Sequence, residues 1–351
     1  MWQRGSSCNT STSLGVKHEG RSQAVNAALV DFGSDHSFEE AAAIFERHYK
    51  FPISESTVRR ITESTGREAE QFIQDKLAAY EEADEEQTLT GPAPKVVGIG
   101  FDGAMVRTGT LEILHASPGE QLKTPTGRIK KKRKEEWKDV RLGYVKDDKK
   151  EARKLFVGGK TDYPTLIKDL FNLGLGLGMN EHTKPVATCD GGQGLYEALD
   201  NQFQDLQFIL DYYHFREHLY ATAVEMSLQG DAKEKWVAEK SNLAWEGQAE
   251  KLINVLGAEY DKTQIDKIRQ LKAYIERFKK CIDYKRFKEM GFSIGSGESE
   301  SAHKYITQKR LKLPGTWWLV ENVNPMLSLR IIKHNGWWNE FWESSGDQLA
   351  A

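Results

Sequence analysis

Two short apolar runs that each close on an Asp-Gly pair constrain this chain most. The first is VVGIGFDGA, which ends in Asp102, and the second is PVATCDGGQG, centred on Asp190. Apolar runs of this length, bounded by turn residues, read as buried strands. In each the carboxylate sits at the mouth of a strand-end turn, because Gly follows at once. A third stretch, GSGESESAH (Gly295 to His303), opens a helical pattern after a Gly-Ser-Gly turn and carries Glu300. Two acids on neighbouring strand ends and one on a helix can converge on a pair of metal ions. A metal-dependent phosphoryl-transfer site for cutting and joining DNA strands is the leading expectation.

The pattern around these stretches predicts an α/β protein with a mixed sheet. Val96 to Phe101 reads as one strand and Met105 to Leu114 as another. Val140 to Val145 and Ala152 to Val157 add strand material, and Tyr163 to Leu173 reads as an amphipathic helix. Gly174 to Gly178 follows that helix and is read as its terminator, not as a dinucleotide loop. Pro185 to Cys189 and Leu206 to Leu210 are strands separated by a short helix from Gly194 to Asn201. This alternation implies parallel pairing. Residues 212–290 show helical periodicity throughout and read as an all-helical insertion, and 298–312 read as the next helix.

Before the sheet, SFEEAAAIFERHYKFPISESTVRRITESTG predicts two helices joined by a tight turn. Ser37 and Glu40 form a capping box, and Ser54 can cap the second helix. Val58 and Ile61 would face inward, with Ser56, Thr57, Arg59 and Arg60 outward, as in a DNA-contacting helix-turn-helix. Residues 1–25 are expected to be disordered or a remnant, 26–90 the helix-turn-helix region, and 95–351 the catalytic domain. The acidic run EEADEEQ and Gly91-Pro92-Ala93-Pro94 mark the boundary between them.

The chain has 351 residues, enough for two or three domains. No apolar run approaches the roughly 18 residues of a membrane helix, and the N-terminus lacks an apolar signal core, so a cytosolic protein is expected. Cys8, Cys189 and Cys281 form no CxxC pair, which argues against a disulfide framework or a cysteine zinc site. The net charge of −3 gives no global DNA-binding signal. Locally the balance differs: Gln121 to Lys160 holds fifteen Lys or Arg against six Asp or Glu. Within it, RIKKKRKEEWK reads as a basic connection whose Lys130, Lys131, Lys132, Arg133 and Lys134 could contact phosphate. The nine tryptophans, many in the C-terminal stretch, read mainly as packing anchors.

Phosphodiester cleavage needs an activated water and a stabilised leaving oxygen, and two Mg²⁺ (or Mn²⁺) ions supply both. Such ions take hard oxygen ligands, so Asp102, Asp190 and Glu300 suffice. Glu298 competes for the third place. On a helix it would point about 200° away from Glu300. His303 and Lys304, three and four residues beyond Glu300, would share its face and could meet the scissile phosphate.

FDGAMV, TCDGGQGLY, DYYHFREHL, GSGESESAHK and RLKLPGTWW, with NPMLSLR and NGWWNEFW, resemble the DDE transposases of bacterial insertion sequences, nearest the ISKra-like group. The resemblance covers about residues 95–345. It implies an RNase H-like catalytic domain with a divalent metal, DNA strand transfer at terminal inverted repeats, and a homo-oligomer on DNA in the bacterial cytoplasm at the nucleoid. On that pattern Asp102, Asp190 and Glu300 are the catalytic and metal-binding triad, and Asp211 and His214 an accessory pair. Two alternatives stand beside this reading. One is a non-catalytic DNA-binding protein descended from a transposase. The other is a zinc protease through His214-Phe215-Arg216-Glu217-His218, an HxxEH match that arises easily by chance.

Overall fold

The computed structural model describes residues 21–83, 92–117, 120–149, 151–192 and 194–347. The expected disorder of residues 1–20, and most of the acidic run with Gly91, lie outside them. A mixed sheet organises the chain. Its main strands are β1 Val96–Ile113, β4 Lys131–Asp147, β5 Lys154–Gly159, β6 Lys184–Cys189 and β7 Gln207–Leu210. They lie in the order β5-β4-β1-β6-β7. The first three form an antiparallel meander, and β6 and β7 then join in parallel. The parallel crossovers need helices, and α4 Tyr163–Gly176 and α5 Leu195–Gln202 supply them. Between β1 and β4 lies a small hairpin, β2 His115–Ser117 with β3 Glu120–Gln121. A two-residue strand, β8 Trp318–Leu319, pairs with β1 at Thr108 and Gly109.

The two strands expected over 96–101 and 105–114 are one strand of 18 residues. The sequence Asp102-Gly103 reads as a break, yet backbone pairing with β4 runs through it without a bulge. The basic run at 130–134 is likewise not a free connection. From Lys131 it is the return strand β4. Strand propensity of Lys-rich sequence is low, so the pairing partner, not the local sequence, makes this strand.

The two sheet faces are covered differently. Odd-numbered positions of β1 face α4, where Phe101 meets Tyr163 and Gly143 of β4 meets Leu170. Even-numbered positions face the helix that carries Glu300, α11 Gly297–Ala302. That helix continues as a π-helical stretch, His303–Gln308, and a last turn α12 Lys309–Leu311. Between β7 and α11 the chain is helical, as expected: α6 Tyr212–Glu225, α7 Gly230–Trp245, α8 Ala249–Thr263, α9 Asp266–Arg277 and α10 Tyr284–Glu289. Two helices close the chain, α13 Val323–His334 and α14 Trp338–Asp347.

The N-terminal helices are α1 Gln23–Asp35, α2 Phe38–Tyr49 and α3 Glu55–Glu82. Ser37 accepts the Glu40 N–H at 3.2 Å and Ser54 the Thr57 N–H at 3.2 Å, so both serines cap their helices, while the Glu40 carboxylate meets His36 Nδ1 at 3.4 Å instead of completing the expected capping box. α1 was not legible, and it begins inside the stretch expected to be disordered. Nor do these helices stand apart as a separate body. At Gly66 of α3 a Cβ would fall 2.7 Å from the Pro325 carbonyl oxygen of α13, so only glycine allows this approach. Leu29, Phe45, Ile73 and Leu77 join the same hydrophobic core as β1 and α13. Among the described residues no helix is long and apolar enough to cross a membrane.

Candidate active site

Strand register brings the acids together. Ile99 of β1 pairs with Ala187 of β6, and Cys189 of β6 pairs with Leu210 of β7. Continued three residues past the last β1–β6 pair and one past the last β6–β7 pair, the same register runs Asp102, in the middle of β1, alongside Asp190, and Asp190 alongside Asp211. The Asp211 N–H donates to the Cys189 carbonyl at 2.8 Å, so the β6–β7 ladder does run that far. Side chains alternate along a strand with period two. Asp102 therefore shares the face of Gly98 and Gly100, which is the α11 face. A Cβ at Gly100 would meet the Ser299 hydroxyl oxygen at 2.7 Å, so α11 rests directly on β1 there. On β6, Thr188 donates to the Ser293 carbonyl at 2.9 Å and so lies on that face, while Asp190 follows the last residue of β6, with Tyr163 and Tyr274 within reach of its charge.

Each acid is held differently. Asp102 is half-buried, and its carboxylate accepts the Gly103 N–H at 2.7 Å. Asp190 is exposed and accepts the Gly192 N–H at 3.2 Å. Asp211 is only 1 % exposed and is saturated. One oxygen caps α6 through the Tyr213 and His214 N–H groups at 2.7 and 2.8 Å, and the other accepts the Ser296 N–H. This buried carboxylate fastens the Gly-Ser-Gly turn to the end of β7. Its companion His214 lies outward, with Nδ1 3.1 Å from Glu217.

Glu298 and Glu300 part company as the helical geometry requires. Glu298 reaches Lys146 of β4 at 2.8 Å and Lys154 of β5. Burial opposes its charge, but the hydrogen bonds from the two lysines outweigh this and hold its carboxyl below the usual range. Ser299 is pinned on Gly100, so Glu300 lies on the flank of α11 opposite to Glu298. It is exposed. Among the described residues neither Glu300, Asp102 nor Asp190 has a basic partner, in contrast to Glu298.

His303 departs from expectation. It is fully buried beneath the helix, and its Nε2 donates to the Asp102 carbonyl at 2.7 Å. It cannot meet a phosphate; it ties α11 to the strand that carries Asp102. Burial lowers its pKa, which keeps the ring neutral with its proton on Nε2. The sequence spacing missed this because Ser299, Ala302 and His303, not Glu300, form the inward stripe. Lys304 is exposed, as expected. Sequence reasoning also missed Lys146 and Lys154, whose pairing to Glu298 joins residues about 150 positions apart and leaves no local signal.

Elsewhere, Arg59 and Arg60 lie outward on α3 and Val58 inward. Ser56 is exposed and Thr57 half-buried, and both hydroxyls contact Ser54. Arg59 pairs with Glu55 and lies 5.3 Å from the Phe38 ring. In the HxxEH stretch, His218 packs on Tyr274 with ring centroids 4.5 Å apart, and burial lowers its pKa. Among the described residues no three His, Cys, Asp or Glu side chains gather closely enough to hold one ion. That applies to the HxxEH stretch and to the acid row alike.

No family model matches the chain. A curated protein from Streptococcus gallolyticus, described as "UPF0236 protein in vanSb 3'region", is 23% identical over 169 residues. The match covers 46% of this chain and 36% of that protein, so the chain spans about a third of the length of its relative.

Proposed function

We propose that this chain is a DDE transposase of an insertion sequence, with an RNase H-like catalytic domain nearest the ISKra-like group. What supports the reading is the strand register: continued past its last pairs it runs Asp102 alongside Asp190, and Glu300 lies on the flank of α11 away from the lysine-bound Glu298. The antiparallel meander followed by two parallel crossovers is a mixed sheet of the kind the RNase H-like reading requires. The relative's partial match is compatible with it.

The donor set suits Mg²⁺ or Mn²⁺. All three acids offer hard oxygens, and none is neutralised by a lysine or arginine. Mg²⁺ is commonly held by one or two carboxylates together with substrate phosphates, so no single ion needs all three acids. When bound, two such ions would activate water and stabilise the leaving oxygen of a phosphodiester. The chain's own residues do the rest. The Gly103 N–H fixes one Asp102 oxygen and leaves the other available. His303 holds the Asp102 backbone against α11. Asp211 locks the turn from which Glu300 projects. Lys304, exposed and four residues past Glu300, is free to meet a phosphate. Lys130 to Lys134 would supply further phosphate contacts, and Ser56, Thr57, Arg59 and Arg60 a second DNA contact on α3, with more than one copy on paired element ends.

The test is incubation of the protein with DNA flanking its own coding sequence, with Mg²⁺ or with EDTA. Mg²⁺-dependent nicks or joined products at a defined end support the reading. Binding without any strand cleavage would turn it into the non-catalytic alternative.

A further inference from the structure

Beyond Ala104, β1 has parted from β6, and past its short contact with β8 only β4 pairs with it. β6 pairs with β1 only over Val96 to Ile99, and β8 touches it only at Thr108 and Gly109. The pairs from Met105↔Asp139 to Ile113↔Lys131 form a two-stranded ribbon. At about 3.4 Å per residue it is roughly 30 Å long. Residues directly opposite in an antiparallel pair share a face. Met105, Arg107, Leu111 and Ile113 therefore lie on one face with Lys131, Arg133, Glu135 and Trp137.

That face is covered only at its middle, where Trp317 lies against Gly109 and 4.8 Å from the Arg133 guanidinium. On either side of it the apolar side chains are exposed: Trp137 is 57% exposed and Met105 47%, and towards the tip Leu111 is 43% and Ile113 37%. Large apolar side chains left exposed together mark an interaction site. Its charge points to the partner. Glu135, the acid on this face, is claimed by both Arg107 and Arg133. Residues 128 to 134 carry six Lys or Arg and no acid. Protein interfaces are depleted in lysine, whereas polyanion-binding surfaces are rich in it.

We propose that this ribbon is a DNA-reading arm whose tip, around Leu111 and Ile113, lies in the major groove about one helical turn from the cleaved phosphate. The proposal rests on the transposase reading and specifies where and how the arm meets its substrate. The major groove, about 12 Å wide, admits a two-stranded ribbon. The exposed apolar side chains meet thymine methyls and sugar edges, and the flanking lysines meet phosphates. The distance follows from the strand itself. Asp102 and Ile113 lie on the same strand eleven residues apart, which is about 37 Å. One turn of duplex is about 34–36 Å.

The experiment is footprinting of full-length protein carrying Asp102→Asn, which prevents cutting, on a duplex bearing the element end. Hydroxyl-radical and dimethyl sulfate protection are read together. The expected result is a protected patch, including guanine N7 in the major groove, about ten base pairs from the cleavage position. Leu111→Ser with Ile113→Ser should erase that patch and leave protection at the cleavage position, and Trp137→Ala, opposite Arg107 and so five residues from Asp102, should weaken protection midway between the two. Lys130→Ala with Lys131→Ala and Lys132→Ala should reduce the slope of log affinity against log salt by about three. Protection at the cleavage position without a distal patch, with the ribbon intact, overturns the arm and leaves the transposase reading standing. Unchanged DNA protection, with conversion of an oligomer to a monomer in Trp137→Ala, would make the ribbon an interface between copies. No DNA binding by the unsubstituted protein would sink both.

Discussion

At the residue scale, three carboxylates without counter-charges stand near one, Glu298, that is clamped by two lysines. Glu298→Gln should therefore keep strand cleavage and lower the melting temperature by only a few degrees, since half-exposed ion pairs contribute about 1 kcal/mol or less. Loss of cleavage in Glu298→Gln with intact folding would mean that Glu298 completes the acid set. A second carboxylate, Asp169 on α4, reports on packing. Burial against α3 raises its pKa to about 6 from 3.8, with Lys168 and Gln74 only partly offsetting this. The folded state thus holds its proton more tightly than the unfolded chain does. The associated stability is present below pH 3.8 and is lost as pH rises through about 6. Asp169→Asn should raise the melting temperature at pH 7.5 and make little difference near pH 4. An unchanged melting temperature at pH 7.5 would show that water reaches this carboxylate freely.

At the element scale, the helix that bears Glu300 is anchored from below and behind. Arg330 on α13 is 1 % exposed and donates to the Tyr305 and Ile306 carbonyls of the π-helical stretch, to the Ser34 carbonyl at 2.9 Å, and to Asp35. A π turn shifts which carbonyls pair within a helix, and this guanidinium takes two of them. Arg330→Met should destabilise the protein by about 3–5 kcal/mol, because it strands the buried Tyr305, Ile306 and Ser34 carbonyls and leaves Asp35 with Lys333 alone. Urea unfolding measures this, and a loss below 1 kcal/mol would show that the network is dispensable. The sequence made the short elements legible: β6, β7, α4, α5 and the helix after Gly-Ser-Gly lie where apolar periodicity, caps and glycines put them. What it could not disclose was pairing at a distance. Val106 and Thr108 are buried only because β4 and β8 flank them, and a run of lysines carries no strand signal of its own. Helical angles alone separate Glu300 from Glu298, but the choice between them leans on His303 sharing the face of Glu300, and the burial of His303 depends on where α11 lands on β1.

At the scale of the whole molecule, the N-terminal helices and the sheet share one core, with α3 against α13 and Arg310 of α12 donating to the Gly33 carbonyl of α1 at 3.0 Å. A fragment lacking residues 1–90 should therefore be insoluble or lose cooperative unfolding. If it melted like the full chain, the core would be divisible after all. This unity means that any DNA bound on α3 would be fixed relative to the acid row. The central claim is that Asp102, Asp190 and Glu300 cut DNA together. It is tested most directly by comparing Asp102→Asn, Asp190→Asn, Glu300→Gln and the unsubstituted protein on the same end-bearing duplex in Mg²⁺, with binding and melting measured in parallel. The account expects each substitution to abolish cleavage while DNA binding and melting stay close to those of the unsubstituted chain. Cleavage at the unsubstituted rate by any of the three would contradict it.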